Sequence, residues 1–108
     1  MTRYIATTQQ GHVVENHMEE LTVGIQGIAS EFFGNDPINS EVRWKVIPKG
    51  FGFTAGQLSS STVLLCIVPD ELEYSTRVEF MKRINAFWVK ETGIDSNKLA
   101  IFTTSIPL

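Results

Sequence analysis

The chain lacks what several common protein classes require. It has one cysteine, Cys66, inside an apolar run. No internal disulfide can form, and the residue is expected as a buried thiol in a reducing compartment. The longest apolar run, "VLLCIV", is far too short to span a bilayer. The first residues lack the charged-then-apolar layout of a signal peptide, so a cytoplasmic location is expected. Excess positive charge is missing too: a net charge of −3 argues against a surface built around phosphate contacts. His12 and His17 lie five residues apart with no third His or Cys nearby, which gives no support to a metal site. They read as surface residues or helix caps.

What remains is a globular domain. With 108 residues, 43% of them hydrophobic, the chain is long enough for one core, and residues 1–108 read as one domain without a linker. Its pattern repeats, with a first half near 2–60 and a second near 61–108. "RYIATT" (3–8) is β-prone. A helix over 14–33 places Met18, Leu21, Ile25, Ile28 and Phe32 on one face, with Glu15, Glu19 and Glu20 on a solvated one. Gly24 and Gly27 weaken that helix by about 1 kcal/mol each relative to Ala, which implies close packing against a neighbour. "EVRWKVI" (41–47) follows as a strand, with Val42, Trp44 and Val46 on one side and Arg43 and Lys45 on the other.

The second half opens with "TVLLCIV" (62–68), whose unbroken apolar character predicts burial on both faces. Thr76 and Glu79 are spaced as a capping box for a helix over 76–92, with Val78, Met81, Ile84, Phe87 and Trp88 as its stripe. "KLAIFTT" (98–104) is the last strand. Gly34 and Gly93 end the two helices at equivalent places. The order is β-α-β-β-α-β, and the fold class is α+β.

The loop "KGFGF" (49–53) matches the start of the RNA-recognition signature, in which aromatics such as Phe51 and Phe53 stack bases. In that fold the motif lies within the third strand. Here "TAGQLSSS" separates it from the next strand, "TVLLCIV", which carries no aromatic. No nucleic-acid partner is expected, and RNA binding remains a remote alternative. A phosphate loop fits less well, because "GFG" precedes no helix and lacks a Gly-Lys-Ser/Thr ending.

A strand running into Pro48, Gly50, Phe51, Phe53, Ala55 and Gly56, then a strand, a helix and a "Gly-Ile-Asp" connection to the last strand, resembles the tautomerase superfamily. The likeness is to double-length members related to cis-3-chloroacrylic acid dehalogenase and malonate semialdehyde decarboxylase. It covers nearly the whole chain. It implies two β-α-β repeats forming a four-stranded sheet with both helices on one face, assembly as a homotrimer, and chemistry without a cofactor. The other sheet face is expected to meet subunit neighbours and a small polar pocket.

The resemblance also implies site residues. The family's N-terminal proline, exposed when the initiator methionine is removed, corresponds to Thr2. A free Thr2 amine, with an ordinary pKa of about 8, is able to act as a base near neutrality. Arg43 matches the arginine that binds and polarises a carboxylate in 4-oxalocrotonate tautomerase. The arginine at the first helix start falls near His12. The dehalogenase arginine pair falls on Glu71 and Tyr74, and a tyrosine of the last strand falls near Thr104. The dehalogenases' catalytic glutamate lies in an extension beyond the position of Leu108, so dehalogenation by that route is not expected.

Two function classes follow. In the first, an enzyme interconverts keto and enol forms of a small 2-oxo or unsaturated carboxylate, or performs a related lyase step. Thr2 and Arg43 are then catalytic, His12 or Lys45 an auxiliary polariser, and Phe51 or Phe53 a dry pocket wall. In the second, the fold serves as a non-catalytic binding or structural subunit.

Overall fold

The computed structural model describes residues 2–34, 40–54, 56–69 and 72–105. Strand β1 (Thr2–Gln9) leads through a 3-10 turn (Val13–His17) into helix α1 (Met18–Phe33) and strand β2 (Ser40–Ile47). Two short strands, β3 (Phe53–Thr54) and β4 (Gln57–Leu58), form a separate hairpin. The second unit runs from β5 (Thr62–Ile67) through helix α2 (Tyr74–Thr92) and a second 3-10 turn (Ser96–Lys98) to β6 (Leu99–Thr104).

The sheet order is β2-β1-β5-β6. Within each unit the strands are parallel, as a crossing helix requires, and β1 meets β5 antiparallel at the centre. The two units are thus repeats related by a reversal of direction.

Period-two alternation turns Tyr4, Ala6, Leu64 and Cys66 to the helix side, where all are fully buried. They share one core with Leu21 and Ile25 of α1 and Phe80, Ile84 and Trp88 of α2, so both helices cover the same sheet face. Phe80 is its aromatic centre, 5.3 Å from Phe32, 5.0 Å from Phe33 and 6.2 Å from Tyr4 between ring centroids. Burying a side chain of this size contributes roughly 1.5–3 kcal/mol. Gly34 and Gly93 close the helices in the left-handed conformation, at φ 67° and 73°, where a Cβ would be strained.

Several expectations need correction. Helix α2 begins at Tyr74 with Glu73 as its N-cap and no side-chain capping bond, so Thr76 and Glu79 lie inside it and form no capping box. Its buried stripe is Phe80, Ile84, Trp88 and Thr92, while Val78, Met81 and Phe87 are only half-buried at its flanks. Strand β5 is buried on one face within the single chain, and Val63 on the other face is 39% exposed. The first helical segment is divided: residues 13–17 form the tighter 3-10 turn. Gly24 does pack closely, against Phe87, but a Cβ on Gly27 would meet nothing within 4 Å.

Candidate functional site

The sheet face away from the helices carries the candidate chemistry. Register places Arg3 opposite Glu41, Ile5 opposite Arg43 and Thr7 opposite Lys45. Arg3, Glu41, Arg43 and Lys45 therefore share a corner over β1 and β2. The same face continues over β5 and β6 with Val63, Leu65, Ile67 and Phe102, the last 59% exposed. One half of the face is cationic and the other apolar.

Glu41 organises the cationic half. Its Oε1 accepts from Arg43 Nε at 2.5 Å, and its Oε2 lies 3.3 Å from Arg3 Nε. The Arg43 hydrogen bond, with the charges of both arginines, holds the Glu41 carboxyl below the usual carboxylate range. Lys45 has no such partner among the described residues. Three cations against one carboxylate leave a net positive corner, suited to receive a carboxylate ligand.

Thr2 stands at the start of β1, paired with Ser40. Its side chain points to the buried side, and its hydroxyl lies 3.0 Å from the Ser40 hydroxyl. The Tyr4 hydroxyl is close to that of Thr2 but outside hydrogen-bonding geometry; burial dominates and pushes its pKa up. Three residues of strand rise and one strand spacing separate the backbones of Thr2 and Arg43, about 11 Å. Met1 lies outside the described residues.

His12, Phe51 and Phe53 lie at the other end of β1, about 23 Å away along an eight-residue strand. Gln9, which the sequence did not single out, ties that end together. Its Oε1 accepts from the Gly50 N–H at 3.1 Å, its Nε2 donates to the Ser59 carbonyl, and its own carbonyl accepts from the His12 N–H. His12 caps the 3-10 turn, with Nδ1 accepting from the Val14 N–H at 3.2 Å. Burial, then the charge of Lys98, lowers its pKa, and the Val14 N–H donating to Nδ1 favours the tautomer that carries its proton on Nε2. Phe53, 69% exposed, lies on the hairpin and pairs with Leu58, and Phe51, 75% exposed, lies in the segment just before it; both are outside the four-stranded sheet.

Within one chain, the fold puts Arg43 and Lys45 on the same outer face; Arg43, opposite Ile5, lies toward the Thr2 end, whereas Lys45, opposite Thr7, lies toward the Gln9 end where His12, Phe51 and Phe53 are found. Tyr74, at the start of α2, is 82% exposed. Thr104 pairs with Ile67 at the Thr2 end of the sheet. Glu71 and Ala55 lie outside the described residues. Arg3 and Glu41 were also missed. Glu41 was detectable as the same-face neighbour two residues before Arg43; Arg3 joins only through strand register. His17, Glu20 and Glu91 place ligand-type atoms within 4.8 Å of one another at a half-exposed helix junction, and the imidazole lies 3.6 Å from Glu91.

No family model and no curated protein matches this sequence. Solved structures do match. The native Ps01740 crystal structure superposes with a TM-score of 0.90 at 24% identity, covering 97% of this chain and 94% of that one. N1, a member of the cis-3-chloroacrylic acid dehalogenase family, gives 0.89 at 9% identity, covering 97% and 75%. The Q0 fused 4-OT symmetric trimer gives 0.84 at 11%, covering 97% and 85%. The chain has the tautomerase-superfamily fold. β1 and β5 open the two β-α-β units, and Thr2 is the first residue of β1.

Proposed function

We propose that the protein is a homotrimeric tautomerase-superfamily enzyme that moves a proton between keto and enol forms of a small 2-oxo or unsaturated carboxylate. The pair of arginines on the Thr2 half of the outer face, Arg3 and Arg43, with Lys45 beyond them along β2, is the observation that carries this reading. Arg43 takes the substrate carboxylate with its planar fork. The Thr2 amine, freed by removal of Met1, takes the proton from the carbon next to the carbonyl. The C–H electron pair forms the C=C bond of the enolate, and charge moves onto the carbonyl oxygen, which Lys45 stabilises. Returning the proton to oxygen completes the enol. This transfer needs no redox or group-carrying cofactor.

The apolar half of the outer face, with Ile5, Leu65, Ile67 and Phe102, supports association with further copies. In such a trimer, His12, Phe51 and Phe53 of one copy approach the cationic corner of another and shut out water. That strengthens the electrostatics there.

One observation favours the alternative of a non-catalytic binding subunit: Glu41 already occupies Arg43 at 2.5 Å. The distinguishing experiment follows phenylpyruvate enolisation by protein whose Met1 loss is established by intact mass. Turnover that disappears in Arg43→Ala supports the enzyme. Carboxylate binding to trimmed protein without turnover supports the binding subunit.

A further inference from the structure

A second candidate site lies on the opposite side of β2 from Arg43. Between the start of α1 and this edge strand is a concavity of about 350 Å³, lined by Met18, Glu19, Thr22, Val23 and Trp44. Its volume falls in the range of about 300–1,000 Å³ usual for small-molecule sites. Trp44 is held firmly there. Its Nε1 donates to Thr22 Oγ1 at 2.8 Å, that hydroxyl donates to the Met18 carbonyl at 2.8 Å, and the ring packs 5.8 Å from Trp88 at 38°. A ring fixed by its edge and by a neighbouring indole loses little freedom when a ligand arrives.

Charge decides which ligand. Among the described residues that line it, Glu19 alone is ionisable, and its carboxylate has no hydrogen bond or ion pair with another described residue. Glu20 follows it in the first turn of α1. An anion would be repelled here. A neutral apolar molecule would gain contact with Met18, Val23 and Trp44 but nothing from the carboxylate. A primary ammonium would have to give up strong hydration, since the lining is almost wholly apolar. The positive end of α1 opposes any cation, but Glu19 and Glu20 offset it within the same turn.

We propose that this concavity binds a small quaternary or otherwise alkylated ammonium ion, with its charge against the Trp44 ring and the Glu19 carboxylate and its alkyl groups on Met18 and Val23. Trp is the best ring for such an ion, and a weakly hydrated head gives up little on entry. The site is independent of the Arg43 corner, because alternate residues of β2 face opposite sides of the sheet.

The test uses the full chain, with choline as probe and its uncharged carbon isostere 3,3-dimethylbutan-1-ol as control, at constant ionic strength. The readout is the two indole N–H resonances, one from Trp44 and one from Trp88, assigned with Trp44→Phe. Choline should shift the Trp44 signal, with millimolar affinity typical of so small a ligand. The isostere should bind about fivefold or more weaker, as expected for a cation–π contact reinforced by a carboxylate. Glu19→Gln, at an exposed position, should weaken choline severalfold and leave the isostere unchanged. No Trp44 shift at tens of millimolar choline would overturn the site. Equal binding of both probes, or indifference to Glu19→Gln, would overturn the cation assignment and leave an adventitious additive only.

Discussion

Glu41 and Arg43, two residues apart on the outer face of β2, meet at 2.5 Å, so the candidate carboxylate clamp already holds a carboxylate of its own. A substrate must compete with Glu41 for that guanidinium. Glu41→Gln should therefore lower KM for a 2-oxo acid severalfold with little change in kcat. Arg43→Ala should raise KM, and Arg43→Lys should recover little, because a point charge does not replace a bidentate fork. Steady-state kinetics on phenylpyruvate checks all three.

The same pair sets an acid-side pH dependence. The folded-state pKa of Glu41 is depressed by Arg43 and Arg3. Its contribution to stability is present above the unfolded carboxyl value of about 4.3 and is lost as pH falls through the depressed folded value. Glu41→Gln should flatten the acid limb of the stability profile, as read by denaturant titration.

Cys66 gives a basic-side counterpart. Burial pushes its thiol up to about 12. The raised value contributes stability that is fully present below the unfolded thiol pKa of about 8.5 and lost as pH rises toward the folded value. In native protein at pH 8 the thiol should not react with a disulfide reagent, and it should react at once after unfolding. Rapid labelling of the native state would place Cys66 outside the core.

Two glycines of α1 should behave oppositely. An added Cβ on Gly24 would lie 1.9 Å from Phe87 Cζ, whereas one on Gly27 meets nothing. Gly27→Ala should stabilise by up to about 1 kcal/mol through helix propensity. Gly24→Ala must displace the Phe87 ring, and overpacking of about 1–3 kcal/mol should outweigh that gain. Urea midpoints decide both.

These residues also show how far the sequence was legible. The element order, the Gly34 and Gly93 stops and the Leu21–Ile25–Ile28 stripe could be read directly, because each follows from local spacing. Local spacing failed at α2: Phe80 lies outside the stripe that Val78, Met81 and Phe87 suggested, and only packing against Phe32, Phe33 and Tyr4 shows which side is buried. The hairpin at 53–58 was hidden in a stretch whose glycines read as breaks. For the site, Arg43 and Lys45 were legible from alternation. The bridge through Glu41 to Arg3, and the separation of His12 from Thr2, depend on strand register and direction, which no short window contains.

Assembly gives the next test. The apolar half of the outer sheet face should be buried between copies, so light scattering should give three times the 12.1 kDa chain mass at micromolar concentration. Leu65→Glu places a charge on that half and should yield folded monomer. A monomeric parent protein would remove the proposed pocket, since His12, Phe51 and Phe53 lie toward the opposite end of β1 from Arg3 and Arg43.

In the proposed reaction the Thr2 amine acts as the base, and a single pair of preparations probes that role. Phenylpyruvate enolisation is followed as a function of pH for two preparations of known intact mass, one beginning at Thr2 and one retaining Met1. The Thr2 form should be active, with a rate that rises with pH through the amine pKa and then levels, and the Met1 form should be inactive. Equal rates for the two forms would contradict that role.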